Sequence, residues 1–117
     1  MKTISRDELK QKIDRKDDFL LVETLSATVY HHSHLPGAIN LPPEKLKDSA
    51  SQILPDKNAE IVVYCANPAC QASENAAREL TALGYTNVRD YAEGKQDWID
   101  AGLTVETDDK HIGENSN

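Results

Sequence analysis

The sequence predicts an α/β sandwich in which helices cover both faces of a mostly parallel central sheet. Two observations predict this fold class. The apolar runs at residues 18–24 and 59–65 have no helical period, which is typical of strands buried on both faces. Segments with helical period alternate with such runs along the chain, as in parallel sheets joined by crossover helices. With 117 residues, the chain has room for one domain.

The chain begins with a helix signal followed by a strand signal. Ser5 and Glu8 fit a capping box, which predicts an amphipathic helix over residues 6–15. The run 18–24 follows without a helical period. It is therefore predicted as a buried strand near the centre of the sheet.

Prolines and one glycine mark the next elements. Residues 36–37 predict a turn before a short strand over residues 38–41. A helix then begins at the following prolines, because proline fits the first helical turn. Its apolar positions are Leu46 and Ile53.

The second half of the chain carries the strongest helix signal. After the strand 59–65, a helix is predicted from a cap near Ser73 to Gly84, a typical residue after a helix end. Its apolar face consists of Ala76, Ala77, Leu80 and Leu83. A strand at 87–92 and a short helix at 94–102 complete the domain, predicted as residues 1–106. Residues 107–117 are polar and are predicted to be a flexible tail.

Charge and composition exclude several classes of function. The net charge of −7, without a cluster of Lys or Arg, argues against a nucleic-acid partner. The chain has no apolar run of membrane-spanning length and its N-terminus has no signal-peptide pattern, so a cytoplasmic protein without membrane contact is expected. No cofactor and no oligomeric state are predicted.

The two cysteines of the chain lie in one loop. Cys65 follows the strand 59–65, and the carboxyl ends of strands are where open parallel sheets place their functional crevice. Loop amides and the start of the next helix are expected to converge on the Cys65 sulfur and to lower its pKa. Cys70 lies five residues further on, close enough to attack an oxidised or persulfidated Cys65. The alternative is that both are buried small hydrophobes.

Two motifs resemble the rhodanese-like domain family. The stretch "HLPGAINLPP" resembles one signature of that family, and the pattern from "YC" through "AARELTALGYTNV" to "AGLTVE" resembles its catalytic half. The resemblance extends from about Ser5 to Glu106. It implies a rhodanese fold with a five-stranded parallel sheet.

The resemblance also implies a function. A sulfurtransferase of this kind carries sulfane sulfur as a persulfide on Cys65, and Cys70 is a candidate for resolving or relaying it. The implied partners are a small sulfur donor or a persulfide-bearing protein, and a thiol acceptor. The substrate-binding loop implied in this way consists of Ala66, Asn67, Pro68, Ala69, Gln71, Ala72 and Ser73.

Several positions depart from the family pattern. The loop from Cys65 to Ala72 is two residues longer than usual, and Ala72 stands where an arginine is common. Leu25 stands at a second usual arginine, and Glu23 at a usual aspartate. Thiosulfate is therefore a doubtful donor, because a dianion loses its bidentate partners. The missing arginine also argues against the phosphatase chemistry of this fold.

Three histidines at residues 31–34 raise the question of a metal. Zinc requires four converging ligands, and the spacing fits no usual zinc motif, so no metal site is predicted. His34 is expected to have a structural hydrogen-bonding role. His31 and His32 either line the crevice or are solvated, and Trp98 is expected in the core.

Two other functions compete with sulfur transfer. A thiol redox protein would cycle Cys65 and Cys70 between dithiol and disulfide. A catalytically silent module of the same fold would bind a partner, and the missing arginines favour this alternative.

Overall fold

A computed structural model describes residues 2–108 as five parallel strands and five helices. The strands are β1 (Lys2–Thr3), β2 (Leu20–Glu23), β3 (Ile39–Asn40), β4 (Ile61–Tyr64) and β5 (Val88–Tyr91). The helices are α1 (Arg6–Arg15), α2 (Ala27–His32), α3 (Pro43–Ile53), α4 (Ala72–Ala82) and α5 (Gly94–Asp100). The sheet order is β1-β5-β4-β2-β3, and every pairing is parallel. The predicted fold class is confirmed.

Strand β4 lies at the centre of the sheet and is fully buried. Its side chains alternate between two apolar cores, as the two-residue period of a strand requires. Ile61 and Val63 face the core that α3 and α4 cover. Val62 and Tyr64 face the core that contains Leu9 of α1 and Trp98 of α5. The expected core position of Trp98 is confirmed, since the ring is 2% exposed.

Helix caps agree with the sequence in part. The Ser5 hydroxyl accepts a hydrogen bond from the Glu8 amide at 3.1 Å, which confirms the start of α1. The Glu8 carboxylate does not return to Ser5 but accepts from Arg89 on β5. Gly84, after α4, has φ of +102°, a conformation that favours glycine.

Helix α2 was not predicted from the sequence. Ser26 caps it by accepting from the Val29 amide at 3.3 Å. None of its residues is buried. The segment therefore lacks the regular spacing of apolar residues by which a helix is recognised in a sequence. A serine cap alone is a weak signal for a helix of six residues.

The predicted apolar face of α3 was wrong at one position. Ile53 is 39% exposed. The buried positions are Leu46 and Ala50, and the spacing of four continues to Leu54 just after the helix. Ile53 precedes Leu54 by one residue and therefore lies beside this row of buried positions.

The C-terminal segment contacts the domain as far as the structure describes it. The Thr107 hydroxyl and the Asp108 amide donate to the carbonyl of His31 at 3.0 Å and 2.9 Å. The rest of the predicted tail lies outside the described residues. No helix within residues 2–108 is long and apolar enough to cross a membrane.

Gly94 holds α5 against the segment that follows β4. Its φ is +81°, and a Cβ built on it would lie 2.7 Å from the amide nitrogen of Asn67. The next two amides, of Lys95 and Gln96, donate to the carbonyls of Cys65 and Ala66 at 2.8 Å each. Glycine is therefore required for this close approach of two backbones.

Gly94→Ala is expected to destabilise the fold more than Gly102→Ala, a matched control. Both glycines have φ near +80°, but nothing lies within 4 Å of a Cβ at Gly102. Left-handed strain costs each variant about 1–2 kcal/mol, and the clash adds roughly 1–3 kcal/mol at Gly94 alone. Urea unfolding measures both free energies. Equal losses would contradict the role assigned to Gly94.

Candidate active site

The candidate site is the cysteine loop, residues 65–71, at the carboxyl edge of the parallel sheet. Cys65 follows β4 directly, and the loop ends where α4 begins. All strands are parallel, so this edge also collects the ends of β2 and β5. The structure thus brings the predicted site residues together at the crevice expected for such sheets.

A side chain within the loop fixes its conformation. The Oδ1 atom of Asn67 accepts from the amides of Ala69 and Cys70 at 3.0 Å and 3.1 Å, and the Asn67 carbonyl also accepts from the Cys70 amide. This asparagine turn places Cys70 back over Cys65. Four of the predicted loop residues are solvent-exposed: Asn67, Pro68, Ala69 and Gln71.

The two cysteines are free thiols of different exposure. Cys65 is 1% exposed, whereas Cys70 is partly exposed. The Cys65 thiol lies 3.3 Å from the Cys70 carbonyl oxygen and 3.5 Å from the Ser73 hydroxyl. The two thiols also influence each other's pKa. The pair forms one connected unit.

The expected pKa of Cys65 was wrong in direction. Burial raises the pKa of the Cys65 thiol, and donation to Cys70 raises it further, against the opposing effect of Ser73. Burial also acts to raise the pKa of Cys70. Hydrogen bonds from the Cys65 thiol and from the Ala72 and Ala66 amides outweigh it, so the pKa of Cys70 is lowered. The amides converge on the second cysteine rather than the first.

The sequence predicts a helix cap near Ser73, but in the structure Ser73 does not cap α4. The helix begins at Ala72, and Gln71 precedes it without a side-chain capping bond. Ser73 lies in the first turn and is 2% exposed. Its hydroxyl is therefore available to the Cys65 sulfur.

A buried ion pair lies on the other side of β4. Lys95 Nζ is 3.0 Å from the carboxylate of Glu23, which is fully buried. The Tyr64 hydroxyl donates to the same carboxylate at 2.7 Å, and Lys95 also donates to the Ser33 carbonyl. Tyr64 stays protonated, because burial and then the charge of Glu23 raise its pKa.

Lys95 is the site residue that sequence reasoning missed. The available signal was a lysine three residues before Trp98, hence on the buried face of a short helix. A second signal was a glutamate at the end of an otherwise apolar strand. A buried charge requires a partner, so the two signals together would have suggested the pair.

A cleft of about 610 Å³ lies beside the cysteine loop. It includes Ala66 from the loop and Lys95 from α5. The apolar part of its wall comes from Leu25, Val29 and Ile99, and the last two are 42% and 41% exposed. His32 also lines the cleft, as one of its two predicted alternatives allowed.

Leu25 and Ala72 stand where the family usually has arginine, and no other arginine of the described residues takes over that role. Each arginine of the described residues pairs with a carboxylate: Arg6 with Asp97, Arg15 with Asp17, Arg78 with Glu74, and Arg89 with Glu8. Lys95 is the cation next to the cleft, and Glu23 neutralises it.

Among the three histidines of residues 31–34, His34 has a structural role. Its Nδ1 atom lies 2.8 Å from the Tyr30 carbonyl oxygen, and its ring stacks on Tyr30 at 4.0 Å between centroids. The expected role of His34 is confirmed. Within residues 2–108, no three or more His, Cys, Asp or Glu side chains form a group that could hold a metal ion.

Known proteins are similar to this chain in fold and in sequence. A structure of the BH2092 protein from Bacillus halodurans superimposes with a TM-score of 0.84 at 26% identity, covering 92% of this chain and 77% of that one. Two curated relatives are sulfurtransferases by name. The adenylyltransferase and sulfurtransferase UBA4 of Candida albicans is 32% identical over 83% of this chain, and the thiosulfate sulfurtransferase PspE of Escherichia coli is 39% identical over 50% of it.

The chain spans 23% of the length of UBA4 and 55% of that of PspE. The sequence profile of the rhodanese-like domain matches residues 5–101, which include all five helices, β2 to β5 and the cysteine loop. With its parallel five-stranded sheet and a cysteine at the end of the central strand, the chain belongs to the rhodanese-like domain family.

Proposed function

We propose that this protein is a sulfurtransferase that carries sulfane sulfur as a persulfide on Cys65. Cys70 either relays sulfur to Cys65 or resolves the persulfide into a disulfide. One observation carries the proposal. Two free cysteines lie within one loop at the carboxyl edge of a rhodanese-like sheet, and the Cys65 thiol donates to the Cys70 carbonyl oxygen at 3.3 Å.

The loading step needs a thiolate and a donor of sulfane sulfur. The Cys65 thiolate attacks the outer sulfur of a donor persulfide R–S–SH, a new S–S bond forms, and the donor S–S bond breaks. The thiolate R–S⁻ leaves and takes up a proton. Ser73 acts to lower the pKa of Cys65, but burial raises that pKa by more, so the attacking thiolate forms from a thiol whose pKa lies above its ordinary value.

In the relay path, Cys70 reacts first. Its lower pKa and greater exposure favour attack on the donor. Cys65 then takes the outer sulfur from Cys70, which returns as a thiolate. In the resolving path, the Cys70 thiolate attacks the inner sulfur of the Cys65 persulfide, and hydrosulfide leaves.

The electrostatics favour an organic persulfide over thiosulfate as the donor. Lys95, the cation beside the cleft, is neutralised by Glu23, and both usual arginine positions are apolar. The apolar wall of the cleft suits the organic body of a small persulfide or a side chain of a persulfide-bearing protein. A thiol is the matching acceptor. The net charge of −7 keeps nucleic acid outside the proposal.

A thiol–disulfide redox protein is the second candidate function. The contact between the Cys65 thiol and the Cys70 carbonyl oxygen, at 3.3 Å, favours it, because it keeps the two cysteines adjacent in the reduced state. The two functions differ in what the thiols gain. Sulfur transfer adds one sulfur atom, whereas oxidation to the disulfide removes two hydrogens.

Mass spectrometry of the intact protein tests the proposed function. Reduced protein is treated with a persulfide-loaded cysteine desulfurase or with thiosulfate. Wild type is expected to gain the mass of one sulfur atom faster from the desulfurase, because the described residues that line the cleft offer thiosulfate no unpaired Lys or Arg. Cys65→Ser is expected to gain no sulfur atom if Cys65 is loaded directly, and to keep the sulfur on Cys70 if Cys70 relays. Cys70→Ser loads slowly if Cys70 relays, and holds its persulfide longer if Cys70 resolves.

The same experiment includes the contradicting outcomes. Absence of any sulfur adduct from both donors would refute sulfur transfer. Loss of two hydrogens on mild oxidation, dependent on both cysteines, would then favour the redox function. If the protein reacts neither with the sulfur donors nor on mild oxidation, the result would favour a catalytically silent binding module.

The pH dependence of alkylation tests the order of the two thiols. Short iodoacetamide pulses over a pH series, followed by peptide mass mapping, give one titration curve for each cysteine. Cys70 is expected to titrate below the ordinary pKa of a thiol and Cys65 above it. As pH rises, Cys70 therefore becomes reactive first.

The Cys65→Ala variant serves as the control for this titration. It removes the thiol that donates to Cys70, so the Cys70 midpoint is expected to move upward. A Cys65 midpoint below that of Cys70 in wild type would contradict the assigned hydrogen-bond arrangement.

A further inference from the structure

Apolar side chains are exposed to solvent inside the cleft beside the cysteine loop. Val29 on α2 and Ile99 on α5 are 42% and 41% exposed, and both line this cleft of about 610 Å³. Leu25, which follows β2, belongs to the same wall. Three separate segments of the chain thus contribute to one apolar surface. Apolar residues that are exposed together indicate a binding site, whereas isolated ones do not.

The cleft adjoins the cysteine loop through the backbone of Ala66. Ala66 follows Cys65 directly and lines the cleft. Its carbonyl accepts a hydrogen bond from the Gln96 amide at 2.8 Å, and Gln96 also lines the cleft. A molecule bound in the cleft therefore lies against the loop that carries both cysteines.

The charges of the cleft favour an uncharged occupant. The chain has 20 acidic residues, but no carboxylate lines the cleft within the part of the chain that the structure describes. Lys95 is 6% exposed and pairs with Glu23 at 3.0 Å. A charged group that enters the cleft would lose its hydration without gaining a Lys or Arg partner, which is unfavourable.

We propose that the cleft binds the organic body R of a low-molecular-weight persulfide, R–S–SH, in which R is uncharged and apolar. This inference rests on the proposed function, because the bound persulfide is the sulfur donor there. Val29 and Ile99 are specificity-determining residues that contact R. The cleft volume of about 610 Å³ lies within the range of small-molecule sites, roughly 300–1,000 Å³, which favours a small donor over a protein.

The transfer step balances in atoms and electrons. A thiolate of the cysteine loop attacks the outer sulfur of R–S–SH, a new S–S bond forms, and the donor S–S bond breaks. The leaving thiolate R–S⁻ keeps the electron pair and takes up a proton from water. No oxidant or reductant is needed. The cleft binds R and takes no part in bond formation, so it selects the donor without changing the thiolate.

An NMR titration tests binding without sulfur transfer. The ¹⁵N-labelled protein is titrated with benzyl methyl sulfide, an uncharged thioether that has an apolar body but no transferable sulfur. The backbone amide signals of Val29, Ala66, Gln96 and Ile99 are expected to shift with one common affinity. Val29→Thr and Ile99→Thr are each expected to weaken binding about three- to tenfold, because a hydroxyl replaces part of the apolar contact.

Ile53→Thr is the matched control for both variants. Ile53 is 39% exposed, like Val29 and Ile99, but it lines a separate cavity together with Pro55 and Asp56. The substitution makes the same chemical change as Ile99→Thr outside the cleft. It is expected to change the affinity by less than about twofold, because distant sites act independently.

The rate of sulfur loading tests the donor class. Intact mass follows transfer from benzyl persulfide and from glutathione persulfide, whose body carries carboxylates. The ratio of the two rates is compared between variants, because the intrinsic reactivities of the donors then cancel. Val29→Thr and Ile99→Thr are each expected to lower the ratio of benzyl to glutathione persulfide about three- to tenfold. Ile53→Thr is expected to leave it unchanged.

Three results would overturn the proposal. The first is the absence of shifts at the cleft amides up to the solubility limit of the sulfide. The second is an unchanged rate ratio in both Val29→Thr and Ile99→Thr. The third is slower loading of these variants from a persulfide-loaded cysteine desulfurase alone, which would make the cleft a protein docking surface. If wild type loads from no donor, the proposed function fails, and the NMR titration decides the binding site separately.

Discussion

The buried ion pair between Lys95 and Glu23 is the interaction on which the site geometry depends. Two charges in a core are unfavourable unless further hydrogen bonds satisfy them, and here the Tyr64 hydroxyl and the Ser33 carbonyl do so. Removing one partner of such a pair typically costs about 3–5 kcal/mol. The pair fixes the start of α5 against β2 and β4. The first amides of α5 then hold the carbonyls of Cys65 and Ala66.

The alternation of β4 separates two kinds of chemistry. Tyr64 points toward the ion pair, and Cys65, the next residue, lies beside Ser73 of α4. Glu23 therefore neutralises the positive charge of Lys95. The hydrogen-bond donors near the sulfur atoms are amides and hydroxyls. Such donors stabilise a thiolate or a persulfide but lack the bidentate cation that recognises an oxyanion. In the proposed mechanism, this division explains how the described residues handle sulfur without a cation that recognises an anion.

The sequence predicted what local patterns determine. The alternation of strands and helices, the buried run that became β4, and the position of Cys65 at its end all follow from residue period and turn residues. Contacts between segments that are distant in the sequence could not be predicted from local patterns. Lys95 and Glu23 are 72 positions apart, and the pKa of Cys65 depends on burial and on the return of the loop. Helix α2 escaped prediction because it buries no residue.

The backbone donors of the cysteine loop determine how the proposed mechanism holds sulfur. Asn67 turns the chain so that the Ala66 and Ala72 amides act on the Cys70 sulfur, directly beside Cys65. A sulfur added to Cys65 needs donors in the same small space. In the proposed mechanism, the outer sulfur of a Cys65 persulfide and the Cys70 thiolate compete for these amides, and binding of one displaces the other. Loading of Cys65 and the position of Cys70 are coupled in this way, because both depend on one set of backbone donors rather than on an arginine.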